Sequence, residues 1–135
     1  MSFVLDTSVT MAWLFEDEAT RNTEALLDRL KTEEAFVPTL WAYEVGNVLL
    51  MAERRKRITE AQGRRFTQLL ESLPINISDS HLVSLWSSAV VVARAHGLSV
   101  YDGTYLDLAM REGMPLATRD RALRRAARKL GVAIL

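Results

Sequence analysis

Four carboxylates stand where a carboxylate is costly. Asp6 ends the apolar run Phe3-Val4-Leu5 of "SFVLDTSV", and a charge at the edge of a buried strand needs partners that offset its desolvation. Glu44 interrupts the apolar stripe that Leu40, Trp41 and Val48 form when "TLWAYEVGNVLL" is read as a helix. Asp102 lies in the first turn of the helix in "SVYDGTYLDLA", beside Tyr105, Leu106 and Ala109. Asp120 follows the strand of "MPLATRD" at the start of another helix. Gathered on one rim, such acids repel one another strongly unless a cation neutralises them. A set of oxygen ligands with no Cys and no nearby His selects Mg²⁺ or Mn²⁺ over zinc. The usual chemistry there is phosphoryl transfer, in which the metal activates water and stabilises charge on the phosphate.

Taken one at a time, these acids also have plain structural explanations. Glu44 can pack its stem and send its head to water. Asp102 meets the positive end of its helix, which suits a capping residue and a metal ligand equally. Asp120 fits an N-cap, and the Thr118 hydroxyl can satisfy local backbone. Asp107 lies five residues beyond Asp102, on the face of Gly103, Thr104 and Arg111; its i,i+4 pairing with Arg111 accounts for it. His81 in a first helical turn and His96 at a helix end are expected to be structural.

The elements that must position these side chains follow from periodicity. Short β-like runs ("SFVL", "AFVP", "INI", "MPLAT", "VAIL") alternate with helical patterns over roughly residues 7–15, 18–31, 39–56, 59–72, 79–96, 101–112 and 121–130. That alternation predicts an α/β fold with a central, mainly parallel β-sheet flanked by helices. Thr39 is the expected N-cap of the third helix, Ser78-Asp79-Ser80 that of the fifth, and His96-Gly97 its stop. The terminal "GVAIL" is expected to add a strand. Open parallel sheets bind ligands outside the carboxyl ends of their strands. Strand ends and helix starts share that rim, which is where the acids fall.

The 135 residues suit one domain spanning 1–135, with 49% hydrophobic and 25% charged residues, a globular composition. There is no cysteine, which excludes disulfides, zinc ribbons and thiol catalysis and suits a cytoplasmic address. No apolar run reaches the length of a membrane span, and the start lacks the features of a signal peptide. Net charge is zero but unevenly spread: residues 1–53 hold ten acids and three bases, residues 54–135 seven acids and fourteen bases. Such asymmetry suits a polyanionic or charged protein partner, and equally a solvated face.

The segments "FVLDTSV", "VPTLWAYEVGNVLL", "AHGLSVYDGTYLDLA" and "MPLATRDRALRRAA" resemble, in order and spacing, the four signature segments of PIN-domain ribonucleases, and more narrowly the VapC-type toxins of prokaryotic toxin–antitoxin systems. The resemblance covers nearly the whole chain. It departs at Gly103, where the family more often has Ala, and none of the family's acids is missing. It implies that Asp6 and Asp102 are the principal Mg²⁺ ligands (Mn²⁺ a possible substitute), that Glu44 and Asp120 complete the acidic cluster, holding a second metal or orienting the attacking water, and that the hydroxyls of Ser8 and Thr118 support it. The implied reaction is hydrolysis of RNA by an activated water, leaving a 3′-hydroxyl and a 5′-phosphate.

Arg119 and Arg121, which flank Asp120, are the candidate RNA contacts, with Arg124, Arg125, Arg128, Lys129 and Arg54 to Arg57 as weaker ones. Trp13, Phe15 and Trp41 are expected in the core or an interface. The resemblance further implies a homodimer held by a paired antitoxin whose tail enters the active-site groove; apolar surface around "MAWLF" and "LWAYEVGNVLL" would suit that tail. An aspartyl-phosphate phosphatase is rejected, because Ser8 stands where its second Asp must be. The remaining rival is a catalytically silent PIN-like module that binds RNA or a protein.

Overall fold

The computed structural model describes all 135 residues. Strand β1 (Ser2–Leu5) lies inside a four-stranded parallel sheet of order β3-β2-β1-β4, with β2 at Glu34–Val37, β3 at Ile75–Ile77 and β4 at Leu116–Ala117. Phe3, Val4 and Leu5 are all fully buried, as a strand covered on both faces requires. Helices connect the strands: α1 (Thr7–Ala12), α2 (Arg21–Arg29), α3 (Thr39–Arg54), α4 (Glu60–Ser72), α5 (Leu82–Ser84), α6 (Val90–His96), α7 (Val100–Glu112) and α8 (Arg121–Lys129). The predicted α/β architecture is the one observed. No single helix is long and apolar enough to cross a membrane.

Helix α7 carries the deepest contacts. It packs against β1, α6 and α8 and buries Tyr105, Leu106, Leu108 and Ala109 completely or nearly so. Its approach to the preceding helical segment is close because residue 103 is glycine. A Cβ there would lie 2.8 Å from the Ala89 carbonyl oxygen and 3.0 Å from the Ala93 Cβ. Residues Leu85–Ala89 form a π-helical segment between α5 and α6, a local widening that periodicity cannot anticipate. Gly97 ends α6 at φ 65°, the left-handed cap expected there.

Several expectations need correction. The fifth helix starts at Leu82 behind His81, not at Ser78–Ser80. Asp79 instead reaches across to α3, where its carboxylate accepts the Thr39 N–H at 2.8 Å and the Thr39 hydroxyl at 2.5 Å. Pro38 therefore occupies the N-cap of α3 and Thr39 is its first helical residue. The terminal "VAIL" is not a strand. It makes one bridge, Leu116 to Ile134, with hydrogen bonds from the Leu116 N–H to Ala133 and from the Leu135 N–H to Leu116. Asp107 pairs with Arg111 as expected, at 4.0 Å, but it is buried and also accepts a hydrogen bond from the Ser88 hydroxyl. Trp41 and Phe15 are in the core as expected, and Trp13 packs against it with its indole N–H on the Thr23 carbonyl.

Candidate active site at the strand ends

The β1–β4 ladder sets the centre of the site. The Asp6 N–H donates to the Ala117 carbonyl at 3.0 Å, which holds the ends of β1 and β4 level. Thr118, the residue after β4, is thereby delivered to Asp6: its hydroxyl donates to Asp6 Oδ2 at 2.6 Å. The Ser8 hydroxyl donates to the same oxygen at 2.7 Å. Asp6 is only 5% exposed. Burial pushes its carboxyl above the usual carboxylate range, and the Thr118 and Ser8 hydroxyls oppose that push by bonding the charged form.

The same two hydroxyls extend the network to Asp120. The Arg119 N–H donates to Ser8 Oγ at 2.9 Å and the Asp120 N–H to Thr118 Oγ1 at 3.1 Å. Asp120 then caps α8, one carboxylate oxygen accepting the Leu123 N–H at 2.8 Å. Its N-cap role and its place beside Asp6 coexist, since a cap uses one oxygen and leaves the other.

Glu44 is held from beneath. The Tyr105 hydroxyl donates to Glu44 Oε1 at 2.5 Å, the Thr7 hydroxyl donates to that oxygen at 3.1 Å, and the two hydroxyls are 2.9 Å apart. Neither Thr7 nor Tyr105 stood out as a site residue in the sequence. Tyr105 falls on the apolar stripe of its helix, and its partner lies 61 residues away. The available signal was spacing: Tyr105 is one turn after Asp102, and Thr7 adjoins Asp6.

Asp102 is half-buried in the first turn of α7, whose N-cap is the Ser99 hydroxyl, accepting the Asp102 N–H at 3.1 Å. Its carboxyl is raised to about 6, first by burial and then by the charges of Asp6, Asp120 and Glu44. Asp102 is thus within electrostatic reach of the other three acids. None of the four has a Lys or Arg partner among the ion pairs of the protein. In this structure no three of the acidic side chains are grouped closely enough to hold a metal ion. What the four acids share is donor chemistry, carboxylate oxygens at the strand-end rim that feel one another's charge through Asp102. An all-carboxylate, uncompensated cleft fits Mg²⁺ or Mn²⁺, which binds through one or two carboxylates and keeps much of its water.

Arg119 and Arg121 flank this cleft, exposed and without ion pairs. Arg124 is half-buried and donates to the Thr118 carbonyl at 3.0 Å, which braces the loop that carries Thr118. Arg57 pairs with Asp17 at 2.5 Å and stacks 3.9 Å over Phe15. The core claims most of "MAWLF", while Tyr43 and Leu50 remain exposed on α3. A groove of about 330 Å³ lies along that helix, with Trp41, Val45 and Gly46 on one wall and Leu70 and Ile75 on the other.

Comparison with known proteins adds three kinds of likeness. A sequence description of the PIN domain family matches residues 3–129. Ribonuclease VapC3 of Pyrobaculum aerophilum is 28% identical over 123 residues, covering 91% of this chain and 92% of that protein. The structure of VapBC2 from Rickettsia felis bound to a DNA fragment from its promoter aligns at TM-score 0.72 and 13% identity, over 100% of this chain and 98% of the other. A toxin–antitoxin complex from Klebsiella pneumoniae aligns at TM-score 0.59 and 18% identity, over 87% and 86%. At those identities the two structures attest the shared fold.

Proposed function

The chain belongs to the PIN domain family, and from that premise we propose that it is a metal-dependent endoribonuclease serving as the toxin of a toxin–antitoxin pair. The observation that carries this reading is the state of Asp102. Its carboxyl is raised to about 6 by burial and by three facing carboxylates, and no cation of the protein relieves that repulsion. A silent binding module has no use for such an arrangement; a hydrolytic metal site does. The relative named as a ribonuclease and the neighbour described as a toxin–antitoxin complex support the substrate class and the antitoxin partner.

In this mechanism Asp6 and Asp102 would hold the metal, and Glu44 and Asp120 would complete the acidic cluster, holding a second metal or orienting the attacking water. When bound, such an ion would supply an activated water and offset negative charge on the phosphate. Ser8 and Thr118 both bond Asp6 Oδ2 and so restrain its carboxylate. Arg119 and Arg121 position the RNA backbone through its phosphates. The absence of cysteine fits action in the cytoplasm. In a homodimer the tail of the paired antitoxin would enter the active-site groove of each protomer.

The test is purified protein, free of partner, incubated with total RNA in Mg²⁺ or in chelator beside Asp6→Asn and Asp102→Asn. Discrete cuts with 5′-phosphate ends, lost in chelator and in both variants, are expected. Equal cutting by folded, purity-matched variants would trace the activity to a contaminant.

A further inference from the structure

The Tyr105 hydroxyl is fully buried, yet it is not merely a core polar group seeking a partner. Thr7 alone, at 2.9 Å, would satisfy it. Instead the phenol turns its proton onto Glu44 Oε1 at 2.5 Å, and Thr7 bears on the same oxygen at 3.1 Å. Two protonic patterns fit these distances. Either both hydroxyls donate to Oε1, or Thr7 donates to Tyr105 and Tyr105 to Oε1. In each pattern Oε1 is an acceptor engaged by the protein, while Oε2 has no protein partner and is the oxygen left for the cleft.

The places these two residues occupy give the contact its meaning. Tyr105 is three residues after Asp102 on α7 and therefore on the same helical face. Thr7 directly follows Asp6. The elements that carry two of the acids thus each send one hydroxyl to the third. A shift of α3 against α1 or α7 would have to break a buried hydrogen bond to a charged group, which is costly.

We infer that Tyr105, assisted by Thr7, is a positioning residue that sets the distance from Glu44 to Asp6 and Asp102 and so the cleft's affinity for a divalent cation. The inference rests on the metal-dependent reading above. Neither residue touches substrate. They act by presenting Glu44 through a single oxygen at a fixed height on the rim. Supporting residues of this kind typically contribute 10–100-fold to metal affinity.

The experiment measures Mn²⁺ binding by calorimetry in wild type, Tyr105→Phe, Thr7→Val, Glu44→Gln and the double variant Glu44→Gln/Tyr105→Phe, with melting in chelator recorded for each. Tyr105→Phe keeps the buried ring and removes only the donor. It should raise the Mn²⁺ Kd about 10-fold or more, and Thr7→Val should raise it in the same direction by less. In the Glu44→Gln background the phenol should matter little, with a further change below about twofold, because its route to the metal has been removed. A merely structural tyrosine would lower the melting point in both backgrounds and leave Kd unchanged. Equal Kd in folded Tyr105→Phe and wild type overturns the inference, as does an equal loss in both backgrounds. Should Tyr105→Phe fail to fold, an unchanged Kd in Thr7→Val overturns it instead. A wild type that takes up no Mn²⁺ overturns the metal-dependent reading and this inference with it, whereas uptake by wild type with no effect of either hydroxyl overturns this inference alone.

Discussion

Replacing Asp102 with Asn should stabilise the metal-free protein at neutral pH, which is the reverse of what removing a buried polar group usually does. In the folded chain the Asp102 carboxyl sits at about 6, against an ordinary 3.8. Well below pH 3.8 both folded and unfolded chains hold the proton, and the acid costs nothing. Between those values the unfolded chain releases its proton while the folded chain keeps it, so stability falls as pH rises. Above pH 6 the full cost persists. At about 1.4 kcal/mol per pH unit a fully enclosed group would cost ~3 kcal/mol. Asp102 is only half-buried, and water and salt screen much of that, leaving about 1–1.5 kcal/mol. For a chain of this size that corresponds to a melting point roughly 4 °C higher in Asp102→Asn than in wild type. The assay is thermal unfolding in chelator from pH 5 to pH 8. The gain at pH 5 should be about half of that at pH 8, and it should level off above pH 6.5. Added Mg²⁺ should then raise the melting point of wild type and not of the variant. A variant less stable than wild type at pH 8, or a gain that does not change with pH, would refute the mutual repulsion of the four acids.

Thr118→Val removes the shortest hydrogen bond to a nearly enclosed carboxylate and should cost about 1–3 kcal/mol in urea unfolding at pH 7, with a smaller loss at pH 4 where Asp6 is closer to neutral. Gly103→Ala gains up to ~1 kcal/mol of helix propensity, but its Cβ would meet the Ala89 carbonyl oxygen at 2.8 Å. Overpacking of that kind costs ~1–3 kcal/mol, so denaturant midpoints should show a net loss. Arg119→Gln and Arg121→Gln, made in the Asp6→Asn background, should each reduce the slope of log affinity for RNA against log salt by about one. Fluorescence anisotropy with a labelled single strand reads this directly, and an unchanged slope removes that arginine from the interface.

How much of this was legible in the sequence depends on how local each determinant is. The parallel α/β pattern, β1 as a buried strand, and Asp6 and Asp120 at element ends all follow from periodicity and capping within a few residues. Glu44 betrayed itself by breaking a stripe. What escaped was decided across the chain. Asp79 resembles a cap for the helix just after it, and it caps α3 forty residues earlier. Asp107 resembles half of a surface ion pair, yet the π-helical turn places Ser88 over it and closes it from water. Tyr105 has the spacing of a core residue and is one; its hydroxyl's second role is visible only once α3 and α7 are brought together. The strand order and the reduction of "VAIL" to a single bridge likewise belong to packing, since an apolar tail satisfies a β pattern whether or not a ladder forms.

The central claim, that Asp6, Glu44, Asp102 and Asp120 bind a catalytic divalent cation between them, is tested most directly by anomalous diffraction from crystals soaked in Mn²⁺. The account predicts a manganese peak in the cleft within direct or water-bridged reach of Asp6 and Asp102, absent from Asp102→Asn crystals treated alike. A cleft without manganese at concentrations that saturate binding in solution, or a peak confined to carboxylates elsewhere on the surface, would contradict it.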